Sequence, residues 1–379
     1  MLSMNEQIFR QIDQAKSILV VFPMDWEADS TSASLALFLT LKKLDKNVEI
    51  VATKSRQKTN NLSFLPGYLD IKDKIEHLRR FIVSLDISKT KVSQIKYVVE
   101  NDQLNFIISP EDGWFETKDI SFKAGEFKYD LIISLGADDL ESLGEIYDKN
   151  IEFFYKTPII NISCRAANEE FGQINFIDLG SAAISESVYK LIKSKDGLLL
   201  DENIATALLA GIILKTKNFK TGNLTPETLL VTSELISLGA RREEIITQVY
   251  RQRQISDLKL WGKILNNLKL DETRKLAWSY LRHSDYPEDN HELTIKDVAE
   301  ELIANLPNTK NLLIIKEGAN ATVKIFSFSF GGLDAVKIIS SYSPQGDREY
   351  AKAVANISLD KALSETINHI SQELDKIKL

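Results

Sequence analysis

Four short apolar runs, each long enough for one buried strand, constrain the fold more than any other feature of this sequence. They occupy residues 17–23, 48–53, 130–136 and 158–164. Between the first two runs, the segment STSASLALFLTLKKL places Leu37, Leu41 and Leu44 at helical spacing. A strand, a helix and a second strand in this order form a β-α-β unit, which requires parallel pairing. The sequence therefore predicts an α/β fold whose N-terminal, mostly parallel sheet has helices on both faces.

A segment of different character, about residues 78–127, separates the second run from the third. The strand-like runs FIVSLDIS, IKYVVE and LNFIISP alternate there with polar turns. This pattern predicts an antiparallel meander inserted into the α/β domain. The meander either protects a sheet edge or forms a dimer surface, and its composition favours neither.

The remaining sequence predicts two further regions. Helical patterns dominate from Ser181 to Asn267, and the tail then mixes strand and helix patterns. We predict an α/β domain over residues 1–222, a helical connector over 223–269 and a smaller α+β domain over 270–379.

Charge and cysteine content exclude several classes of protein. The net charge is -7, which disfavours attraction of the whole molecule to duplex nucleic acid or to an anionic membrane, although a local basic groove remains possible. A single cysteine, Cys164, forms no internal disulfide, and the four histidines are too widely spread for a zinc site. No apolar stretch approaches 18 residues. We expect a cytoplasmic protein that does not bind membranes.

Candidate site residues follow from the sheet itself. In open parallel sheets, ligands bind outside the carboxyl ends of the strands. This rule selects the segments that follow three of the predicted strands, together with the end of one predicted helix. They are residues 23–29, 136–139, 163–168 and 215–219.

Four motifs at these places carry a resemblance to a known family. They are WEADSTSASLAL at 26–37, DLIISLGADDLESLG at 130–144, PIINISCRAANEEFGQINFID at 158–178 and ATALLAGIILKTKNF at 205–219. In order and spacing they resemble the motifs of the DHH phosphoesterase superfamily, which includes RecJ exonucleases, nanoRNases, phosphoadenosine-phosphate phosphatases and cyclic di-AMP phosphodiesterases. The tail is similar to the DHH-associated C-terminal domain. The resemblance implies a phosphoesterase scaffold.

The departures from the family pattern concern the metal ligands. The resemblance implies two divalent metals, usually manganese, that activate water for attack on phosphorus. Pro23 stands where the family has its opening histidine, and Glu27 replaces the first aspartate of that motif. Asp29 is retained. Gly136 replaces the aspartate of the second motif, and Lys215 replaces that of the fourth.

The third motif and the tail depart in the same way. Ser163-Cys164-Arg165 stands where the family has Asp-His-His. In the tail, Phe328 takes the place of a phosphate-binding arginine, and Asp347 lies near the position of a histidine. The resemblance therefore implies a scaffold without its two-metal centre, so we expect no cofactor, or manganese or magnesium bound weakly.

The remaining polar residues allow alternative interpretations. Glu27 and Asp29 hold one metal weakly, or they lie in a solvated turn in which Asp29 or Ser30 caps the next helix. Cys164 beside Arg165 is a thiolate nucleophile or a buried thiol. Lys215 and Arg165, with Asn168 nearby, bind a phosphate group, or Lys215 and Arg165 form ion pairs with Glu27 and Asp29.

The leading functional hypothesis is a DHH-type protein that has lost phosphodiesterase activity and serves as a binding module. Its expected partner is a nucleotide, a short single-stranded RNA, another protein or a second copy of the chain. One alternative is an active phosphoesterase with an altered site, in which Glu27 and Asp29 hold a metal while Arg165 and Lys215 bind the phosphate group. A second alternative is a structural subunit.

Overall fold

The fold is described from a computed structural model covering residues 2–53, 62–250, 255–285, 292–306, 309–319, 321–329 and 333–376. The chain forms two compact units, Met1–Arg251 and Gln252–Leu379. Across the described residues, no helix combines the length and apolar character needed to cross a bilayer.

Unit 1 contains nine strands and eight α-helices among its described residues. The strands are β1 (Ser17–Val21), β2 (Asn47–Val51), β3 (Arg79–Leu85), β4 (Val92–Glu100), β5 (Gln103–Pro110), β6 (Ile120–Phe127), β7 (Leu131–Leu135), β8 (Ile159–Ser163) and β9 (Ile174–Ile177). The helices are α1 (Met4–Gln14), α2 (Ala28–Lys43), α3 (Glu145–Asp148), α4 (Ile151–Lys156), α5 (Ile184–Lys195), α6 (Glu202–Lys215), α7 (Pro226–Ser237) and α8 (Arg242–Tyr250).

A five-stranded parallel sheet forms the centre of unit 1. Its order is β2-β1-β7-β8-β9, and every neighbouring pair is parallel. Strand β1 sends Ile18 and Val20 into a core shared with α1, α2, α5 and α6, while Leu19 and Val21 enter a second core with α3 and α4. Because successive strand residues point to opposite faces, an unbroken apolar run is what a sheet covered on both faces requires. The predicted fold class is confirmed.

The inserted segment is antiparallel, but its strands are not arranged as a meander. Strand β3 pairs with β6, and β4 pairs with β5. A two-residue turn closes β4 and β5 because Asn101 and Asp102 both adopt positive φ, at 53° and 60°. A hydrogen bond from Asp86 N to Asp119 O continues the β3–β6 ladder toward the tip, and one from Glu111 N to Lys91 O continues the β4–β5 ladder toward the base. Residues 79–127 thus form one long hairpin, which we call the arm.

Unit 2 is a mixed sheet with helices on both sides. Its strands are β10 (Lys269–Asp271), β11 (Leu276–Leu281), β12 (Asn311–Glu317), β13 (Val323–Ser329), β14 (Gln345–Gly346) and β15 (Tyr350–Ala355). Its helices are α9 (Ile255–Asn266), α10 (Glu292–Asn305), α11 (Ala335–Ile338) and α12 (Leu359–Lys376). The sheet order is β10-β11-β12-β13-β15-β14, and only the β11–β12 pairing is parallel among these strands.

The helices assigned to a connector fall on both sides of the division between the units. Helices α7 and α8 belong to unit 1, and α9 belongs to unit 2. Residues 251–254, which the connector also includes, lie outside the described residues. The boundaries at 222 and 270 stay predictions.

Candidate functional site

The candidate site lies at one edge of the parallel sheet, where three neighbouring strands end. Strands β1, β7 and β8 are adjacent and parallel, so the segments that follow them meet at their carboxyl ends. The C-terminal turn of α6 reaches the same place. A cleft of about 370 Å³ opens here, lined by residues 25–29 and by Leu214, Lys215 and Lys217.

Four charged side chains form an ion-pair network in this cleft, which we call the cleft cluster: Glu27, Asp138, Arg165 and Lys215. Lys215 Nζ lies 2.5 Å from Glu27 Oε1, and the Arg165 guanidinium donates to Glu27 Oε2. Arg165 also donates to Asp138 Oδ2 at 3.0 Å. The side chains of Glu27, Arg165 and Lys215 are each only about a quarter exposed. The Glu27 carboxylate thus forms ion pairs with both Arg165 and Lys215.

Local structure places each member of the cleft cluster. Glu27 precedes the first residue of α2, but its side chain makes no capping hydrogen bond and extends into the cleft. Lys215 is the last residue of α6, where the helix dipole favours a cation. Arg165 follows β8, and its backbone N–H donates to Ser163 Oγ.

Asp29 has a different role from Glu27. It is 1% exposed, and its carboxylate accepts hydrogen bonds from the backbone N–H groups of Ile184 and Ser185 and from Ser185 Oγ. Burial raises the pKa of Asp29, while the bonds from Ser185 and Ile184 and the charge of Lys215 oppose this rise. Because the N-cap residue of α5 supplies no side-chain bond, Asp29 caps that helix from α2.

Two glycines allow the elements around Asp29 to approach closely. Gly136 has a φ of +78°, and a Cβ there would lie 2.1 Å from Ser30 Oγ. A Cβ at Gly211 in α6 would lie 2.0 Å from Ser185 Oγ and 2.9 Å from Asp29 Oδ1. An aspartate at position 136 therefore requires both a disfavoured backbone conformation and displacement of the Ser30 side chain.

Cys164 and Asn168 lie beside the cleft cluster without joining it. Burial, followed by the negative charge of Asp29, raises the pKa of Cys164 to about 12, so its thiol is protonated at neutral pH. The Asn168 amide donates to Ala137 O at 2.7 Å, and its Oδ1 accepts from Asn161 at 2.7 Å. These contacts give Asn168 a structural role in joining the ends of β7 and β8.

The two tail positions lie in unit 2. Phe328 is buried in β13, and its ring packs against Tyr350 with centroids 5.2 Å apart. Asp347 Oδ1 accepts from the backbone N–H groups of Glu349 and Tyr350 and so closes a turn. Both side chains have structural partners within their own unit.

The structure brings together three of the residues that the sequence selects, and it adds one. Glu27, Arg165 and Lys215 meet directly. Neither cation forms an ion pair with Asp29, in contrast to one of the predicted arrangements, because α5 occupies both carboxylate oxygens. Asp138 is the added residue. Its place three residues after the end of β7, within residues 136–139, was the available signal.

Comparisons with known proteins bear on this arrangement. No protein-family model matches the chain. The bifunctional oligoribonuclease and PAP phosphatase NrnA of Thermus thermophilus is 28% identical over 219 residues, which span 58% of this chain and 65% of that protein. An uncharacterized protein of Mycoplasma pneumoniae is 28% identical over 127 residues, 34% of this chain and 38% of that protein.

A solved structure extends the comparison to nearly the whole chain. The crystal structure of an exopolyphosphatase-related protein from Bacteroides fragilis superimposes with a TM-score of 0.68 at 17% identity, covering 99% of this chain and 98% of that one. The predicted resemblance to the DHH phosphoesterase superfamily is confirmed by NrnA in sequence and by this solved structure in fold.

The residues at the candidate site do not fit two divalent metals. Pro23 and Gly136 offer no side-chain ligand atoms, and the Asp29 carboxylate already accepts hydrogen bonds from α5. The cleft cluster also places two cations around Glu27. Within the described ranges, no group of three or more His, Cys, Asp and Glu side chains could hold a metal ion.

We predict that Asp29→Ala lowers the free energy of unfolding by about 2 to 4 kcal/mol, because it leaves two buried N–H groups of α5 without an acceptor. Chemical denaturation measures this change. Asp25→Asn, an exposed change in the same loop that keeps an acceptor for the Glu27 N–H, is the control and should cost less than about 0.5 kcal/mol. Equal losses in the two variants contradict the capping role.

Removal of either cation from the cleft cluster should also destabilise the protein. We expect Lys215→Met or Arg165→Met to cost about 1 to 2 kcal/mol, between the values for exposed and buried ion pairs. In a Glu27→Gln background most of the Lys215→Met loss should disappear, whereas part of the Arg165→Met loss should remain because Arg165 also pairs with Asp138. A double-mutant cycle measures both couplings. Lys43→Met is the control, since it breaks an exposed pair with Asp201. Additive effects of the cleft substitutions would show that the side chains do not interact.

The Cys164 thiol should resist modification in the folded protein. Because burial raises its pKa to about 12, we expect negligible reaction with a disulfide reagent at pH 8 and full reaction after denaturation in guanidinium chloride. Absorbance of the released thiol reports both rates. Fast modification of the native protein would restore the nucleophile interpretation.

Proposed function

We propose that this DHH protein has lost two-metal phosphodiesterase activity and acts as a binding module in the cytoplasm. The observation that carries the proposal is the position of Glu27 between Lys215 and Arg165. The two cations stand at positions where the family resemblance implies metal ligands, and their charges neutralise a carboxylate that would otherwise be available to a metal. The cytoplasmic location rests on the low cysteine content.

The charges of the cleft favour a protein ligand over a nucleotide. A phosphate group would have to compete with Glu27 for Lys215 and with both Glu27 and Asp138 for Arg165. The two carboxylates of the cleft cluster balance its two cations, so no excess of positive charge remains to attract a phosphate group.

The similarity to NrnA supports a nucleotide ligand instead. That relative is named as an oligoribonuclease and PAP phosphatase, so a short RNA or an adenosine phosphate is the nucleotide ligand to test. The match covers just under two thirds of NrnA. Activity of this chain toward either compound is therefore tested by the hydrolysis assay below. Hydrolysis of either compound would favour the altered-site phosphoesterase.

The response to manganese distinguishes a binding module from an active enzyme. Because the cleft cluster lacks a ligand set, we expect 1 mM MnCl₂ to leave the melting temperature unchanged and to produce no hydrolysis of short RNA or phosphoadenosine phosphate. Differential scanning fluorimetry and a phosphate-release assay measure these outcomes, with Thermus thermophilus NrnA as the assay control. Manganese-dependent hydrolysis that Glu27→Gln abolishes would overturn the proposal.

A Glu27→Gln variant tests whether the binding module binds a protein or a nucleotide. Loss of the Glu27 charge releases Lys215 and Arg165 from their shared carboxylate. We expect the wild-type protein to show no thermal shift with mononucleotides or short RNA and the variant to show a measurable one. A shift of several degrees in the wild type would favour nucleotide binding over protein binding.

A further inference from the structure

The tip of the arm presents an unpartnered sheet face made entirely of apolar side chains. In an antiparallel ladder, directly opposed residues lie on the same face. Strands β4 and β5 oppose Ile95 with Ile108, Tyr97 with Phe106 and Val99 with Leu104. Of these six side chains, five are more than half exposed, and Tyr97 reaches 71%. We call this surface the tip face.

The opposite face of the same two strands has a different composition. It pairs Lys96 with Ile107, Val98 with Asn105 and Gln94 with Ser109. Charged and amide groups are interspersed there, as on a solvated face. A contrast of this kind between the two faces is characteristic of a sheet that is covered on one side.

The tip strands have no cover within the described part of unit 1. Each pairs only with the other in the observed sheets. A two-stranded hairpin is marginally stable in water without packing on a further layer. The base of the arm continues the apolar character, since Phe81 and Phe122 stack there with ring centroids 6.0 Å apart and both are exposed.

We propose that the tip face is covered by the tip face of a second copy of this chain. Two flat sheet faces pack at a separation of about 10 Å, and an isologous pair places each face against its own equivalent. The tip face carries no charge, so two copies meet without repulsion. The arm as a whole is nearly neutral, with seven basic and eight acidic residues between 79 and 127, which disfavours nucleic acid as the occupant.

The area of the tip face is sufficient for such a contact. Six exposed side chains, two of them aromatic, offer on the order of 600 Å² per copy. Face-to-face packing then buries on the order of 1,200 Å² in total, which is the lower limit for specific interfaces. The dimer does not depend on the state of the cleft.

Sedimentation equilibrium of the full chain tests this inference. We expect the wild type to be a dimer at micromolar concentration, and Tyr97→Ser with Phe106→Ser to weaken the dimer at least tenfold. The control carries Val98→Ser and Ile107→Ser, which change two apolar residues on the opposite face and should leave the dimer intact. Circular dichroism and thermal melting confirm that both variants fold.

A shortened arm keeps the inference testable if the serine variants fail to fold. Replacement of residues 92–110 by an Asn-Gly turn removes the tip face and should give a folded monomer. A wild type that is monomeric at 100 μM overturns the proposal and leaves a different protein as the occupant. A dimer that persists after the tip is removed, or that the opposite-face control disrupts equally, also overturns it.

Discussion

The hydrogen bonds from the N-terminus of α5 to Asp29 organise the whole site. They fix α5 against α2 and leave the buried carboxylate with acceptor oxygens already in use. Gly136 and Gly211 permit the close approach that these bonds require, because any Cβ at either position would collide with a serine beside Asp29. The aspartate that the family resemblance marks as retained is therefore part of the helix packing.

Glu27 and Asp29 are two residues apart, yet their environments give them opposite roles. Asp29 lies inside the helix layer and is neutralised by backbone dipoles, whereas Glu27 lies at the cleft and is neutralised by Lys215 and Arg165. Both arrangements satisfy a carboxylate without a metal ion. This common outcome is the physical basis for the proposal that the scaffold has kept its fold while changing its chemistry.

The arm and the cleft cluster are separate features of unit 1. In the cleft, charged groups are satisfied by one another, so little unbalanced charge remains for a ligand. On the arm, apolar side chains remain exposed, which is the less favourable state in water. Covering the tip face therefore gains more free energy than binding a ligand in the cleft. Binding through the arm also leaves the ion pairs of the cleft cluster intact.

The sequence alone determined four of the five strands of the parallel sheet, its covering helices and the identity of Glu27, Arg165 and Lys215, because buried runs and strand ends are local features. It did not indicate β9, whose residues are only partly buried. It also indicated that the inserted segment is antiparallel. Only the tertiary structure decided which acid meets which cation, since that depends on α5 reaching Asp29 across 155 residues. In the same way, strand pairing decided that 79–127 form one arm, because a turn between β4 and β5 fixes the register and the chain links β3 to β4 without reversing.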